Sequence, residues 1–222
     1  MLPSPVQVKI CCIRSVQEAE LALSFGAAAL GLVSEMPTGS GELTDAEIRA
    51  IVDSVPKSAG TFLLTAVTDA ARLIEKAEAC GVNTLQLWDP LSPSDYSRLR
   101  TELPGVSLVQ AIHVVDRSAV TAAMEAACLV DALVLDSSNP QVPFRWESQA
   151  GRTHDWDISR EIVETVDCPV LLAGGLNAGN VEYAARKVRP YGVDVCTGVR
   201  TDDELDRRKV VALFEALRRV SA

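Results

Sequence analysis

Val170-Leu171-Leu172-Ala173-Gly174-Gly175-Leu176-Asn177-Ala178-Gly179-Asn180-Val181 and, a little further on, Gly192-Val193-Asp194-Val195-Cys196-Thr197-Gly198-Val199 are the stretches from which the rest of the chain is read. In each, a short apolar run ends in glycine, and after the first a polar cluster opens a helical pattern. Backbone amides at such a strand end can face an anion with no Cβ in the way. One double glycine is weak, because tight turns need glycine as well. Two such strand ends in succession, late in an alternating chain, are more specific. A (β/α)8 barrel binds phosphate there, in the loops after its seventh and eighth strands.

Working outward, the hydrophobic pattern predicts strands over 6–12, 27–33, 60–64, 84–87, 106–112, 132–135, 169–173 and 193–197. Helices are expected in a run capped by Ser15 and reaching Phe25, then over 44–55, 67–80, 92–103, 117–127, 158–166, 180–188 and 204–219. Thr44 with Glu47 three residues on reads as a capping box. Most strands are continuous apolar runs, the pattern of a parallel sheet covered by helices. A doubly wound open sheet shares that pattern. The count of eight, and the lack of a Gly-x-Gly-x-x-Gly turn after the first strand, favour the closed TIM barrel. No linker divides the chain, so residues 1–222 are read as a single α/β domain. The longest break, 136–157, carries Phe144, Trp146 and Trp156 and reads as a binding loop or lid.

The composition, 48% hydrophobic and 23% charged over 222 residues, suits one globular domain with a substantial core. A formal net charge of -9 argues against non-specific nucleic-acid binding, although local amides can still hold a phosphate. No apolar run approaches the roughly 20 residues of a membrane span, and the first residues lack the pattern of a signal peptide. The expected location is the cytoplasm, with no membrane or nucleic-acid partner and a monomeric or homodimeric state. The six cysteines have no metal-ligand spacing, and Cys80, Cys128, Cys168 and Cys196 read as buried free thiols.

In a parallel barrel the C-terminal strand ends face the active site. Strand one ends in Cys11-Cys12, strand four in Trp88-Asp89, strand five in His113 and strand six in Asp136. Side-chain alternation predicts that Cys11 and Cys12 do not both point inward, and that Lys9 shares the side of Cys11. An ammonium beside a thiol lowers its pKa and makes it a usable base. Asp136, at the end of an apolar strand, reads equally as an acid catalyst, a metal ligand or a turn residue. No cluster of His, Asp and Glu supports a metal site.

Lys9-Ile10-Cys11-Cys12-Ile13, Ala29-Leu30-Gly31-Leu32-Val33, Leu85-Gln86-Leu87, Val134-Leu135-Asp136, Gly151-Arg152-Thr153-His154-Asp155-Trp156 and the two glycine-bearing stretches follow one another in the order of a known family. Together they resemble the motifs of phosphoribosylanthranilate isomerase over nearly the whole chain. The resemblance implies a (β/α)8 barrel of tryptophan biosynthesis that converts an aminoaldose phosphate into an aminoketose by an Amadori rearrangement. It implies Cys11 as general base and Asp136 as general acid. It also implies phosphate held by Gly174, Gly175, Thr197 and Gly198, with Lys9, His113 and Arg152 counted among the substrate-binding residues. That chemistry requires neither cofactor nor metal.

The departures fall on the mouth. The family's loop after strand two ends in an arginine that meets the anthranilate carboxylate; here residues 34–42 hold no base and two acids. Cys11-Cys12 stands for Cys-Gly, Trp88-Asp89 for His-Gly, and Ser148-Gln149-Ala150 for a glycine-rich turn. Two readings of these changes are a paralogue acting on a phosphosugar with another amine substituent, and the usual substrate with Arg14 or Arg152 in place of the missing arginine. A non-catalytic phosphosugar-binding protein is the third possibility.

Overall fold

A computed structural model describes residues 6–36, 42–138 and 151–220. Eight parallel strands close into a barrel in chain order: β1 (Gln7–Ile10), β2 (Ala29–Val33), β3 (Gly60–Thr65), β4 (Thr84–Leu87), β5 (Ser107–His113), β6 (Ala132–Asp136), β7 (Val170–Leu172) and β8 (Gly192–Val195). The register between β1 and β8 pairs Lys9 with Asp194 and closes the cylinder. Outside it lie α1 (Val16–Ser24), α2 (Asp45–Ser54), α3 (Ala70–Cys80), α4 (Pro93–Glu102), α5 (Ser118–Ala127), α6 (Trp156–Thr165), α7 (Val181–Val188) and α8 (Arg207–Arg218).

Local chemistry starts these helices where the sequence says it should. Ser15 accepts the Glu18 amide at the head of α1, and Thr44 and Glu47 form the reciprocal capping box of α2. The last helix departs from expectation: it begins at Arg207, three residues after the predicted start. Glu204–Leu205 instead pairs antiparallel with Arg200–Thr201, across a turn where Asp202 and Asp203 take positive φ. Asp206 then caps α8 by accepting the amides of Arg208 and Lys209.

Alternation along each strand sorts the side chains into two cores. Val8, Ile10, Leu30, Leu32, Leu63, Leu85, Leu133, Leu135 and Leu172 face outward into the layer between sheet and helices. Val109, Val134, Leu171 and Ala173 fill part of the interior. Above them Cys11, Cys12, Val33, Met36 and Leu64 gather at the C-terminal mouth. Both faces of the sheet are thus buried, which is why the strands read as continuous apolar runs. Cys80 is buried as expected, but Cys128 is exposed and Cys168 and Cys196 are half-buried.

Candidate active site

A pocket opens at the C-terminal end of the barrel. Its lining includes Cys11, Cys12, Gln86, Asp136, Gly174, Gly175, Asp194, Cys196 and Thr197, with Val33, Met36, Leu64 and Trp88 on an apolar side. Cys11 and Asp136 end strands separated on the rim only by β8 and β7, and the residues after those two strands lie between them.

The expectation that only one of the two neighbouring cysteines reaches the interior is corrected. Cys12 takes a left-handed conformation, φ 62°, which breaks the strand alternation and brings its side chain to the mouth beside Cys11. The buried Arg200 holds that turn by donating to the Cys12 carbonyl, and Glu18 anchors the guanidinium at 2.7 Å.

Lys9 does share the side of Cys11. Its ammonium is fully buried and 2.7 Å from Asp194 Oδ2, and the missing side chain of Gly31 leaves room for both Lys9 and Cys11. Burial works against both charges of the pair. It raises the Asp194 carboxyl, whereas for Lys9 the nearby carboxylate and then Cys11 more than offset it and hold the ammonium above its usual range. The expected lowering of the Cys11 pKa is also corrected. Donation of its thiol to Cys12 and burial push it well above the ordinary thiol range, and the opposing pull of Lys9 is smaller.

The glycines have steric reasons of their own. Gly174 and Gly175 take φ of 82° and 63°, and a Cβ at Gly174 would lie 2.6 Å from Ser137 Oγ. At Gly198 it would lie 1.9 Å from the Leu176 carbonyl oxygen, so only glycine lets the last two loops meet. The backbone amides of Gly174, Gly175, Leu176, Thr197 and Gly198 are engaged by no other described residue. Asn180 Nδ2 donates to the Gly175 carbonyl and Asn180 Oδ1 accepts the Asn177 amide, fixing the turn before α7.

Several expected site residues stand outside the lining. Gly198 packs against the backbone of Leu176 and Asn177, and Lys9 sits beneath the floor, reaching the pocket through Asp194. Arg152 brings its backbone carbonyl against Gly175 while its side chain is exposed. His113 is one layer back, with Nδ1 2.9 Å from Ser138 Oγ and Nε2 3.3 Å from the Trp88 carbonyl oxygen. Phe144 and Trp146 of the expected lid lie outside the described residues; Trp156 opens α6 and packs on the outer core.

Sequence reasoning missed Gln86 and Asp194. Gln86 Oε1 and Asp194 Oδ1 are buried acceptors with no partner among the described residues, and both residues line the pocket. The available signal was parity: each is a polar residue between apolar neighbours that face outward.

His154, just before α6, is half-buried with Nε2 2.6 Å from Ser159 Oγ. Burial holds its imidazole below the usual range, Asp136 and Asp155 pulling weakly the other way. A histidine held neutral in the fold gives stability that is present above its unfolded pKa, about 6.5, and is lost as pH falls from there. Urea melts between pH 7.5 and 5 should show stability falling by up to ~1.4 kcal/mol per pH unit. His154→Gln should flatten that slope, and an unchanged slope would assign the loss elsewhere. Glu18, held below the usual carboxylate range by Arg200 and the Arg14 and Leu205 amides against the opposing effect of burial, adds its loss only at more acid pH.

Fold and site together define a (β/α)8 barrel with a thiol, a carboxyl and unengaged amides around one mouth. The family model described as N-(5'phosphoribosyl)anthranilate (PRA) isomerase matches residues 8–216, and the chain belongs to that family. N-(5'-phosphoribosyl)anthranilate isomerase 2 of Methanosarcina mazei is 33% identical over 93% of this chain and 91% of its own length. The isomerase of Haloferax volcanii is 32% identical over 95% and 91% respectively. Among solved structures, N-(5'-phosphoribosyl)anthranilate isomerase from Pyrococcus furiosus superposes with a TM-score of 0.80 at 25% identity, covering 97% of this chain and 100% of its own. TrpF from Jonesia denitrificans does so with a TM-score of 0.79 at 28% identity, covering 98% of each. Among the described residues no helix is long and apolar enough to cross a membrane.

Proposed function

We propose that this chain isomerises N-(5'-phosphoribosyl)anthranilate to the 1-deoxyribulose 5-phosphate product of tryptophan biosynthesis, in the cytoplasm, with Cys11 as base and Asp136 as acid. The observation that carries the reading is the convergence of those two side chains and the amides after β7 and β8 on one pocket. Phosphate on the amides of Gly174, Gly175 and Thr197 anchors the sugar away from the reacting carbons, so binding energy is used to position them. Gln86 Oε1 and Asp194 Oδ1 are open to sugar hydroxyl donors. Asp136 donates a proton to the ribose ring oxygen and the ring opens to an imine. Cys11 then takes the proton from C2, and the enolamine tautomerises to the ketone. Rescue of a tryptophan auxotroph lacking this isomerase, together with turnover by the purified chain, tests the proposal; failure of both would reject it.

The aglycone end favours one second reading. Val33, Met36, Leu64 and Trp88 are apolar, and no Lys, Arg or His is among the described lining residues. The two loop acids do not face the pocket as free charges. Glu35 pairs with Arg72 at 2.6 Å and Lys76 at 3.0 Å, and Glu42 Oε1 accepts the Met36 amide at 2.7 Å. Arg14 is turned to Asp203. This surface suits a phosphosugar bearing an uncharged aromatic amine. An arginine introduced within 38–41 should raise kcat/KM for phosphoribosylanthranilate about 10- to 100-fold, the worth of one charge-assisted contact of about 1.5–3 kcal/mol. If the unmodified chain already reaches about 10⁶ M⁻¹s⁻¹, within the range of efficient enzymes, the second reading is wrong.

A further inference from the structure

We propose that Ser138 and His113 form a proton relay that recharges Asp136, and that His113 acts on the reaction through that carboxyl instead of by touching the substrate. The assignment of Asp136 as the acid rests on the isomerase reading; the relay is a property of the unliganded protein.

β5 and β6 place His113 and Asp136 as direct partners in register. Asp136 Oδ2 accepts the Ser138 amide at 3.1 Å and faces the Ser138 hydroxyl. That hydroxyl oxygen is 2.9 Å from His113 Nδ1, and His113 Nε2 is 3.3 Å from the Trp88 carbonyl oxygen. The ring stands edge-on to Trp88, with centroids 4.6 Å apart. Ser138 is buried.

Counting hydrogens leaves two arrangements. A carbonyl only accepts, so Nε2 carries a hydrogen in both, and a serine hydroxyl has one hydrogen to give. In the first, His113 is an imidazolium donating from Nδ1 to Ser138 Oγ, and Ser138 donates to the Asp136 carboxylate. In the second, Asp136 is a carboxylic acid donating to Ser138 Oγ, and Ser138 donates to the bare Nδ1 of neutral His113. The two hold the same number of protons and use the same contacts. They interconvert when two protons each move one bond along the chain. Once Asp136 has given its proton to a substrate oxygen, His113 is left neutral with Nδ1 bare; the half-exposed imidazole first takes one proton from solvent at Nδ1, which restores the first arrangement, and the two-proton shift then returns a proton to Asp136.

The other titratable groups acting on Asp136 are His154, from the segment before α6, and Asp194 on β8, which is paired with Lys9. Neither shares the Ser138 hydroxyl.

The chain has two histidines, so ¹⁵N-histidine NMR can follow His113 once His154→Gln identifies the other signal. With the relay, the His113 Nδ1 resonance at pH 7 moves in Asp136→Asn and Ser138→Ala relative to the unmodified chain, because the hydrogen bond that Ser138 carries between Nδ1 and the carboxyl is broken or reversed. Ser138→Thr, which keeps the hydroxyl, restores the original resonance. In turnover, His113→Gln and Ser138→Ala move one limb of the kcat profile to lower pH and reduce kcat at pH 7 about tenfold, whereas Ser138→Thr keeps the limb in place. An identical His113 Nδ1 resonance in the unmodified chain and Asp136→Asn overturns the relay. So does a kcat loss in His113→Gln with both limbs unmoved, or a rise in KM alone, which would mark a substrate contact. A chain that turns over no substrate removes the isomerase reading, while the NMR comparison still decides the relay.

Discussion

Cys11→Ser and Asp136→Asn should each lower kcat by about 10²–10⁴-fold, the range for loss of a positioned acid or base. Both replacements are close in size to the original, and Cys11 lies in the small apolar cluster at the mouth, so the thermal midpoint should shift little. A hydroxyl keeps the volume of the thiol but is a far weaker acid, so too little oxyanion forms to take the C2 proton. The carboxamide that Asp136→Asn introduces has no acidic proton to give. The loss should fall on kcat with KM nearly unchanged, because phosphate binding by the amides after β7 and β8 does not involve either side chain. Because Cys11 is held well above the usual thiol range, kcat of the unmodified chain should still be rising with pH beyond neutrality, and Cys11→Ser should lose that rise. Retention of most of the activity in either variant would move the chemistry to other groups.

The largest effect on stability is expected from Lys9→Met. It removes the only ion-pair partner that Asp194 has among the described residues and leaves a buried carboxylate, a change that costs about 3–5 kcal/mol in such sites. The sign of the pH dependence follows from the carboxyl. Burial already raises Asp194, and without the ammonium it rises further. A carboxyl whose folded pKa lies above its unfolded value of about 3.9 contributes stability at low pH that is lost as pH rises. The deficit relative to the unmodified chain should therefore be smaller at pH 5 than at pH 8. Denaturant melts at the two values measure it. A deficit below about 1 kcal/mol at pH 8 would mean that water reaches the site and solvates Asp194. The paired change Lys9→Met with Asp194→Leu should recover much of the loss, since no charge then remains buried.

The barrel was legible because its cause is local and repeated. Apolar strand runs, caps such as Ser15 and Thr44 and glycine-bearing strand ends each follow from neighbouring residues, and eight repeats leave few ways to close a sheet. The proposed acid and base were legible as residue types at strand ends, with their roles taken from family likeness. The start of the last helix was misread because the pairing of Glu204–Leu205 with Arg200–Thr201 competes with helix pattern over the same residues.

What the sequence determined by itself is the order of strands and helices, the end of the barrel at which the pocket opens, and the side of β1 on which Lys9 lies, since all three follow from chain order and two-residue alternation. What only the tertiary structure decided depends on residues far apart in the chain. Arg200 and Glu18 pin the left-handed turn that brings Cys12 beside Cys11. Asp194 arrives across the β1–β8 seam to neutralise Lys9. Ser138 joins His113 to Asp136, placing a residue expected at the substrate behind the proposed acid. Alternation tells which way a side chain leaves its strand; which groups it meets, and hence where its proton rests, is set by distances that only the closed barrel defines.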